Sequence, residues 1–569
     1  MKKIFKYFSK YKVSCVLAPL FKLIEALLEL FIPIIVAKII DDGVIGGNQS
    51  AIITGAIVMV TLGVLGLGFS IAGQYFSAKT AVSYSADLRE SVYKKIMGLS
   101  LLQTEKLGTA KMITTMTSDV QKVQSGVNLA LRLLLRSPFV VLGAFVAALI
   151  IDASVALIFG GVIVVLAVVV VVIMKITMPK FSASQKMLDG VSQTARENLT
   201  GVRVIRAFGV EEKESSDYSN KINGLEKMQN YAGKISALLN PLTFCVVNLA
   251  IIALLYFGGV KVEVGILTCG AVIALYDYMS QILVELIKFA NLVVSISKAL
   301  TSGKRIDEIL SIEEEKIIPK QTQENLSFIE FKSVSASYGG GEVLSNINLK
   351  IEKGQTVGVI GGTGSGKSTL INLIGGLYTA NGGAVYIDGK DVSGLSPSER
   401  RKYVSIALQK PVLFKGTVRS NLLTGNQNAT EKDMENALGV AQATEIISGK
   451  EGGLDSVVEQ GGRNFSGGQR QRLSLARAII SHSDVLILDD SSSALDYITD
   501  LNLRRAIKNQ NENQTVIIVS QRTASVKDVD KIIVLDDGEI VGEGTHETLY
   551  KTCEVYREIE DSQKMEDGE

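Results

Sequence analysis

Hydrophobic residues are distributed unevenly along this chain. The first 300 or so residues contain long apolar runs, and the run from Val155 to Met174 is uninterrupted. A helix rises about 1.5 Å per residue, so this run is long enough to cross a hydrocarbon core of about 30 Å. A buried helix of a soluble protein is the alternative, but similar segments accompany it. The pattern predicts six membrane-spanning helices, at residues 13–40, 51–76, 130–150, 155–174, 241–260 and 266–294.

The connections between the spans differ in length and charge. Those at 41–50, around 152 and at 261–265 are short, whereas those at 77–129 and 175–240 are long and carry many Lys and Arg residues. Positive charge accumulates in cytoplasmic loops of membrane proteins. We therefore expect the two long connections to be cytoplasmic, together with the N-terminus, which has lysines at positions 2, 3, 6, 10 and 12.

Several ionisable residues lie within or near the predicted spans. Charged groups are costly in lipid and usually face a cavity or a partner of opposite charge. One interpretation is a polar path for a substrate, and the other is a set of interhelical pairs or cytoplasmic helix ends. The sequence does not favour either interpretation for Glu25, Glu29, Asp277, Glu285 and Lys288.

After residue 300 the pattern becomes that of a soluble α/β protein. A charged, helix-compatible stretch ends at Pro319 and has the composition of a linker. Short apolar segments then alternate with helix-like ones. The predicted domains are a transmembrane domain at 1–300, a linker at 301–326, a nucleotide-binding domain at 327–562 and a tail at 563–569.

A glycine-rich loop lies between a short apolar strand and an apolar helix in the soluble half. It reads G-x-x-x-x-G-K-S, with Gly361, Gly366, Lys367 and Ser368 at the fixed positions. Glycines allow consecutive N–H groups to face phosphate oxygens, and the helix N-terminus adds partial positive charge. Lys367 is expected to contact the β- and γ-phosphates, and Ser368 to hold Mg²⁺. The predicted nucleotide-binding residues here are Gly361, Gly362, Thr363, Gly364, Ser365, Gly366, Lys367, Ser368 and Thr369.

Polar residues also follow three strand-like segments. Gln409 comes after the first, Asp489 and then Asp490 end the second, and Gln521 follows the third. A carboxylate at the end of a strand beside a phosphate loop is suited to hold Mg²⁺ or its water. The sequence therefore predicts Asp489 as a metal ligand.

A second helix N-terminus is also a candidate anion site. Ser466 precedes a helix-like segment as an N-cap, and the first N–H groups of that helix are free to bind an anion. The residues concerned are Ser466, Gly467, Gly468 and Gln469. Tyr338, about 23 residues before the glycine-rich loop, is an aromatic residue that could stack on adenine.

Composition adds little beyond this. Hydrophobic residues make up 47% of the chain and the mean hydropathy is +0.28, which fits a membrane protein. The net charge of +1 provides no argument for binding nucleic acid. The four cysteines have neither metal-ligand spacing nor the pattern of a disulfide framework.

Together, and in this order, the motifs resemble those of ABC exporter half-transporters over nearly the whole chain. The resemblance implies a six-helix, all-α membrane domain fused to an α/β P-loop nucleotide-binding domain that uses ATP and Mg²⁺. It implies that Tyr338 is the adenine-stacking residue, that Gln409 is the Q-loop glutamine beside the metal held by Ser368 and Asp489, and that residues 465–469 are the signature. The D-loop would be residues 493–496 and the switch position residue 521. The segment 201–208 resembles a coupling helix of the second intracellular loop.

The sequence departs from the family pattern at two positions on one side of the site. The residue after the Walker B aspartate is usually Glu, which orients or deprotonates the attacking water, and here it is Asp490. The usual switch histidine is Gln521, which can donate a hydrogen bond but cannot carry a proton. A shift of about 1 Å at a reacting group can cost on the order of 10²-fold in rate. Because both catalytic residues, Asp490 and Gln521, are degenerate, that is, differ from the family pattern, we predict that the site still binds ATP but hydrolyses it slowly.

In this family, each ATP lies between the Walker A motif of one chain and the signature of another, so the resemblance implies a dimer. The signature here is intact apart from Phe465 in place of the usual Leu. It would complete a partner's site, and we expect a heterodimer with a second ABC half-transporter that carries Glu and His. A homodimer with two slow sites is the alternative.

The expected function is ATP-driven export of an amphipathic small molecule, as in multidrug efflux, across a bacterial plasma membrane. The nucleotide-binding domain would be cytoplasmic. A lipid or peptide translocator and an importer with the exporter fold are alternatives, because the motifs do not encode direction. A soluble ATPase that manages DNA shares the phosphate loop, but the six predicted spans argue against it.

Overall fold

The computed structural model describes residues 7–314, 322–338, 341–491, 495–510 and 513–567. Within it the chain forms two compact units. One comprises Met1–Met97 with Thr109–Ile312, and the other comprises Gly98–Gly108 with Glu313–Glu569. The D-loop prediction lies partly outside the described residues, because positions 493 and 494 are not among them.

The first unit is helical. Its α-helices are α1 (Lys12–Lys38), α2 (Gln49–Met97), α4 (Thr109–Thr114), α5 (Val120–Leu133), α6 (Arg136–Ile151), α7 (Ala153–Thr200), α8 (Val202–Phe208), α9 (Glu211–Ala237), α10 (Leu239–Glu263) and α11 (Cys269–Ser311). Helix α3 (Leu101–Leu107) belongs to the second unit.

Five stretches of the described chain are helical, long and apolar enough to cross a membrane. They are Gln49–Met97, Thr109–Ile151, Ala153–Thr200, Glu211–Glu263 and Cys269–Ser311. The first predicted span corresponds to α1, a helix of 27 residues that carries Lys22, Glu25 and Glu29. The chain is thus a multi-pass membrane protein, as the hydropathy pattern predicts.

The core of the membrane unit is packed from apolar residues of α1, α6, α7, α10 and α11. Phe159, Leu254 and Tyr278 are fully buried in it, and the Tyr278 hydroxyl donates to the carbonyl oxygen of Leu30 at 2.6 Å. Small residues allow close helix crossings. A Cβ on Gly126 would lie 2.3 Å from the Cβ of Ala299, so α5 and α11 could not approach as closely with a larger residue.

Four of the five ionisable residues noted in the spans are paired. Glu29 and Glu285 both contact Arg136 at 2.6 Å, and Lys288 contacts Glu285 at 2.9 Å. Glu25 accepts from Lys22 at 2.6 Å. These contacts join α1, α6 and α11, which supports the interhelical-pair interpretation for those four residues.

The second unit contains the α/β fold. Its strands are β1 (Ile329–Ser337), β2 (Glu342–Ile351), β3 (Thr356–Ile360), β4 (Gly382–Ile387), β5 (Lys390–Asp391), β6 (Val404–Ala407), β7 (Gly416–Thr417), β8 (Val457–Val458), β9 (Val485–Asp489), β10 (Thr515–Val519), β11 (Lys531–Asp536) and β12 (Glu539–Gly544). Its other helices are α12 (Lys367–Ile374), α13 (Pro397–Tyr403), α14 (Val418–Leu423), α15 (Glu431–Val440), α16 (Thr444–Ser448), α17 (Gly467–Ile479), α18 (Tyr497–Gln510), α19 (His546–Thr552) and α20 (Glu554–Asp567).

The central sheet has the strand order β12-β11-β3-β10-β9-β6. Its strands pair in parallel except for β12, which is antiparallel to β11. A second sheet has the order β2-β1-β4-β5, and β7 pairs with β8. In a parallel sheet all the strands end at one edge, so the residues that follow β3, β9 and β10 meet there.

Both faces of the central sheet are covered. Along β10, Val516 and Ile518 pack into one buried cluster, while Ile517 and Val519 pack into the other. Successive side chains of a strand point to opposite faces, so two apolar layers require a nearly continuous apolar strand. This explains why these strands read as apolar runs in the sequence rather than as alternating patterns.

Candidate nucleotide-binding site

The glycine-rich loop runs from the end of β3 to the start of α12. Gly364 and Gly366 have φ angles of 88° and 97°, a region that favours glycine. A Cβ on Gly361 would lie 2.1 Å from the carbonyl oxygen of Leu535. The N-cap of α12 is Gly366, which provides no side-chain cap, so the first N–H groups of α12 can bind an anion.

Lys367 lies inside this loop. Its Nζ donates to the carbonyl oxygens of Gly361 and Gly362 at 2.8 Å and 2.6 Å. Burial lowers the pKa of Lys367, and the carboxylates of Asp490 and Asp489 oppose this shift. The ammonium group is thus held among neutral acceptors and close to acids, in a position where a phosphate would be a stronger partner.

Two carboxylates face the loop from the end of β9. Burial and the neighbouring charge of Asp490 raise the pKa of Asp489. Asp490 has a φ of 44°, and its N–H donates to the carbonyl oxygen of Val519 at 2.9 Å. Its side chain accepts a hydrogen bond from Gln409 Nε2 at 3.1 Å. This main-chain bond to β10 and the contact with Gln409 fix the position of the Asp490 carboxylate.

A single cavity of about 310 Å³ brings most of the predicted site residues together. It is lined by residues that are distant in sequence: Val343, Thr363, Gly364, Ser365, Gly366, Lys367, Ser368, Thr369, Gln409, Asp489, Asp490, Val519, Ser520 and Gln521. The phosphate loop, the strand-end acids and the switch position therefore face one space, as the parallel sheet requires.

Tyr338 follows β1, and its ring lies 4.7 Å from that of Tyr378, measured between centroids. The Tyr378 hydroxyl donates to Glu105 of α3 at 2.9 Å. Sequence reasoning missed Tyr378 and Glu105. They are 273 residues apart, and no local motif marks either of them.

The main chain at the switch position is held by Gln563 on α20. Gln563 Nε2 donates to the carbonyl oxygen of Gln521 at 2.7 Å. Gln563 Oε1 accepts from both the N–H and the hydroxyl of Thr523 at 2.9 Å. Helix α20 continues past residue 562, where the sequence places the end of the domain. Sequence reasoning assigned Gln563 to a tail and so missed this contact.

The signature residues lie at the start of α17. Ser466 accepts from the N–H of Gln469 at 3.3 Å, and its own N–H donates to Gln469 Oε1 at 2.9 Å, which forms a capping box. Phe465, the residue before this N-cap, is buried. Ser466, Gly467, Gly468 and Gln469 are not among the described residues of this chain that line the cavity.

Comparisons with known proteins agree with this arrangement. Residues 15–286 match the ABC transporter transmembrane region and residues 344–493 match the ABC transporter domain. An uncharacterised ABC transporter ATP-binding protein of Mycobacterium tuberculosis is 33% identical over 98% of this chain and 97% of its own length.

Two further similarities concern a named activity and a solved structure. An ATP-dependent lipid A-core flippase of Syntrophus aciditrophicus is 28% identical over 85% of this chain and 81% of its own length. The solved structure of a bacterial Atm1-family ABC exporter with ATP bound superimposes with a TM-score of 0.82, covers 98% of both chains and is 20% identical. At that identity the structural match establishes the fold alone.

Proposed function

This chain belongs to the ABC transporter family, and we propose that it is one subunit of a heterodimeric exporter that moves an amphipathic small molecule out of a bacterial cytoplasm. Family membership makes the chain an ATP-coupled half-transporter with a multi-pass membrane domain and a cytoplasmic nucleotide-binding domain. The proposal concerns its partner, its catalytic weakness and its substrate.

The main support for this proposal is the set of residues on the side of the cavity from which water would attack the γ-phosphate, which we call the attacking side. Asp490 and Gln521 line the same space as Lys367. The Asp490 side chain is one methylene shorter than Glu, and its hydrogen bond with Gln409 and its main-chain bond to Val519 hold it in place. A water on the γ-phosphate would thus meet a carboxylate that stops short of it and an amide that cannot take up its proton. The site of this chain would therefore still bind ATP but hydrolyse it slowly.

The donor set of the cavity fits Mg²⁺. The Ser368 hydroxyl, the Gln409 amide and the Asp489 carboxylate are oxygen ligands of the kind that Mg²⁺ prefers. Burial raises the pKa of Asp489, and a bound cation would favour its ionised form. The metal would neutralise charge on the β- and γ-phosphates.

The position of the signature supports a second subunit. Ser466 and its neighbours lie outside the described lining of this chain's own cavity, which is consistent with another chain supplying the opposing half of each site. A partner with Glu and His at the two degenerate positions would give one competent site, which this chain's signature completes. The site of this chain would then hold ATP for longer than the other.

A lipid translocator is the second candidate, because one relative is a lipid A-core flippase. Import through the same fold is a third possibility. Transport of fluorescent phospholipids and of amphipathic compounds into inside-out vesicles separates these activities by direction and by cargo.

The main test is ATP turnover by the full-length chain purified alone in lipid nanodiscs and by the chain purified with the half-transporter encoded beside it. We expect slow turnover alone and at least about tenfold faster turnover in the pair, because two defects act on one side of the site. Equal and fast turnover by the lone chain would contradict the heterodimer.

A further inference from the structure

We propose that Asp277 on α11 recognises the positive charge of a cationic amphipathic substrate. The proposal rests on the proposed function, since it identifies the substrate class of the same exporter. The acidic residues of the predicted membrane spans differ in whether they have a basic partner.

The predicted spans contain four acids, and three of them have basic partners. Glu25 contacts Lys22, Glu29 contacts Arg136, and Glu285 contacts both Arg136 and Lys288, all within 2.9 Å. Within the described part of the chain, Asp277 has neither a hydrogen bond nor an ion pair. An unpaired carboxylate in a span is costly in lipid and usually faces a cavity or a bound partner.

Asp277 lies well inside the predicted span at residues 266–294. It lies eight residues after Cys269, at which α11 begins, or about 12 Å along the helix axis. One turn further along, Gln281 has a buried Oε1 with no hydrogen-bond partner among the described residues. Two unsatisfied polar side chains thus follow each other along the helix.

Both residues belong to a face of α11 that the helices of its own chain leave at least partly uncovered. The members of this face recur every three or four residues: Ile273, Tyr276, Asp277, Ser280, Gln281, Val284, Lys288 and Asn291. The opposite face, with Leu275, Tyr278 and Ile282, is fully buried in the helical core. We call the uncovered set the polar face of α11.

Other uncovered helix surfaces in this unit differ in composition. The large exposed side chains of α7 within its predicted span are Leu157, Val164, Val165, Val168, Val171 and Val172, and the other exposed positions there are Gly161 and Ala167, so none is charged or polar. Such a surface suits lipid, whereas the polar face of α11 does not. Compared with this surface of α7, the polar face of α11 is better suited to line a water-filled path between this subunit and its partner.

The charges on the polar face specify the occupant. Lys288 is compensated by Glu285 at 2.9 Å, so Asp277 contributes an uncompensated negative charge. A cation with apolar groups complements both this carboxylate and the neighbouring Tyr276 and Val284. In a site of reduced dielectric constant such a contact is stronger than at a water-exposed surface.

The test measures binding of tetraphenylphosphonium and of tetraphenylborate, an anion of the same shape, to the full-length protein in nanodiscs by equilibrium dialysis without ATP. We expect saturable binding of the cation that weakens at least about tenfold in Asp277→Asn and stays within about threefold in Asp277→Glu. The native protein should not bind tetraphenylborate saturably. Asp189→Asn is the matched control, because it removes an exposed carboxylate from the cytoplasmic part of α7.

Three outcomes would overturn the inference: no saturable cation binding by the native protein, equal binding by Asp277→Asn, or equal losses in Asp277→Glu and Asp277→Asn. Retained ATP binding verifies that each variant is folded. Because the assay needs no hydrolysis, its failure leaves the heterodimer intact, and fast turnover by the lone chain leaves the cation site intact.

Discussion

The two sides of the nucleotide cavity differ in how completely they are equipped. On the loop side, Lys367 is buried among main-chain carbonyl oxygens, and the glycines take the conformations that a phosphate-binding loop needs. On the attacking side, Asp490 and Gln521 occupy the positions at which the family resemblance implies a longer acid and a histidine, and other residues hold their main chain in place.

This difference shows that binding and cutting a nucleotide depend on separable groups. The loop side acts through fixed N–H groups and one cation, which bind a triphosphate before any bond is broken. The attacking side matters only where charge and protons move. A chain can therefore keep the first set and lose the second without changing its fold.

The largest expected effect concerns the loop side. Lys367→Ala removes a charged partner of the phosphates, so ATP affinity should fall by about 100-fold, which corresponds to about 3 kcal/mol. Asp490→Asn, on the other side, should change ATP affinity by less than about threefold. Because the chain has no tryptophan, a Tyr338→Trp background provides a single tryptophan, whose selectively excited fluorescence reports adenine binding.

Lys390→Ala is the control for this experiment, because Lys390 is in the same unit and its Nζ contacts the Tyr403 hydroxyl instead. Its affinity for ATP should be unchanged. A loss in Asp490→Asn as large as that in Lys367→Ala would show that the two sides are not separable.

The second prediction restores the attacking side. Asp490→Glu combined with Gln521→His should raise ATP turnover by the lone chain by tens of fold, up to about 10²-fold, since a reach of about 1 Å and a titratable group are recovered. The paired control is Asp528→Glu with Gln427→His, which makes the same chemical changes at exposed positions. No gain in the first variant would place the catalytic defect elsewhere.

The parts of the site that can be predicted well from the sequence are those that depend on short, local motifs. The phosphate loop and Asp489 are short, local patterns whose chemistry follows from the spacing of adjacent residues. The sheet order then places Gln409, Asp490 and Gln521 around them, because parallel strands end at one edge. The two-domain organisation follows from hydropathy in the same direct way.

Contacts between distant residues escaped sequence reasoning. Glu105 meets Tyr378 across 273 residues and Gln563 meets Gln521 across 42, and neither pair has a local signature. In the membrane half, hydropathy treats Asp277 and Glu285 alike, although Glu285 contacts Arg136 and Lys288 while Asp277 lacks such a partner among the described residues. Pairing depends on which helix faces meet, and that is a property of packing.

A third prediction tests the signature, which in the proposed heterodimer completes the partner's site. Ser466→Ala removes an N-cap worth about 1 kcal/mol and a hydroxyl offered to the opposing nucleotide. We expect turnover of the heterodimer to fall by about tenfold. Ser396→Ala is matched, since Ser396 forms the same capping box at the start of α13. It should lower stability similarly but leave turnover unchanged, and equal loss of turnover would indicate a purely structural role for Ser466.

The smallest expected effect concerns Gln563, which binds the main chain at the switch residue Gln521 and at Thr523, two residues later. Removing it in Gln563→Ala frees the Gln521 carbonyl and the Thr523 N–H, so the Gln521 side chain should contact the γ-phosphate less often. ATP affinity should then fall by about threefold to tenfold while ADP affinity stays unchanged, because ADP lacks that phosphate. Gln563→Glu keeps the acceptor for Thr523 but loses the donor to Gln521, and it should give an intermediate loss. Ser562→Ala, whose hydroxyl bonds only within its own helix, should leave both affinities unchanged. Equal losses for ATP and ADP in Gln563→Ala would mean that α20 supports the domain as a whole and not the switch position.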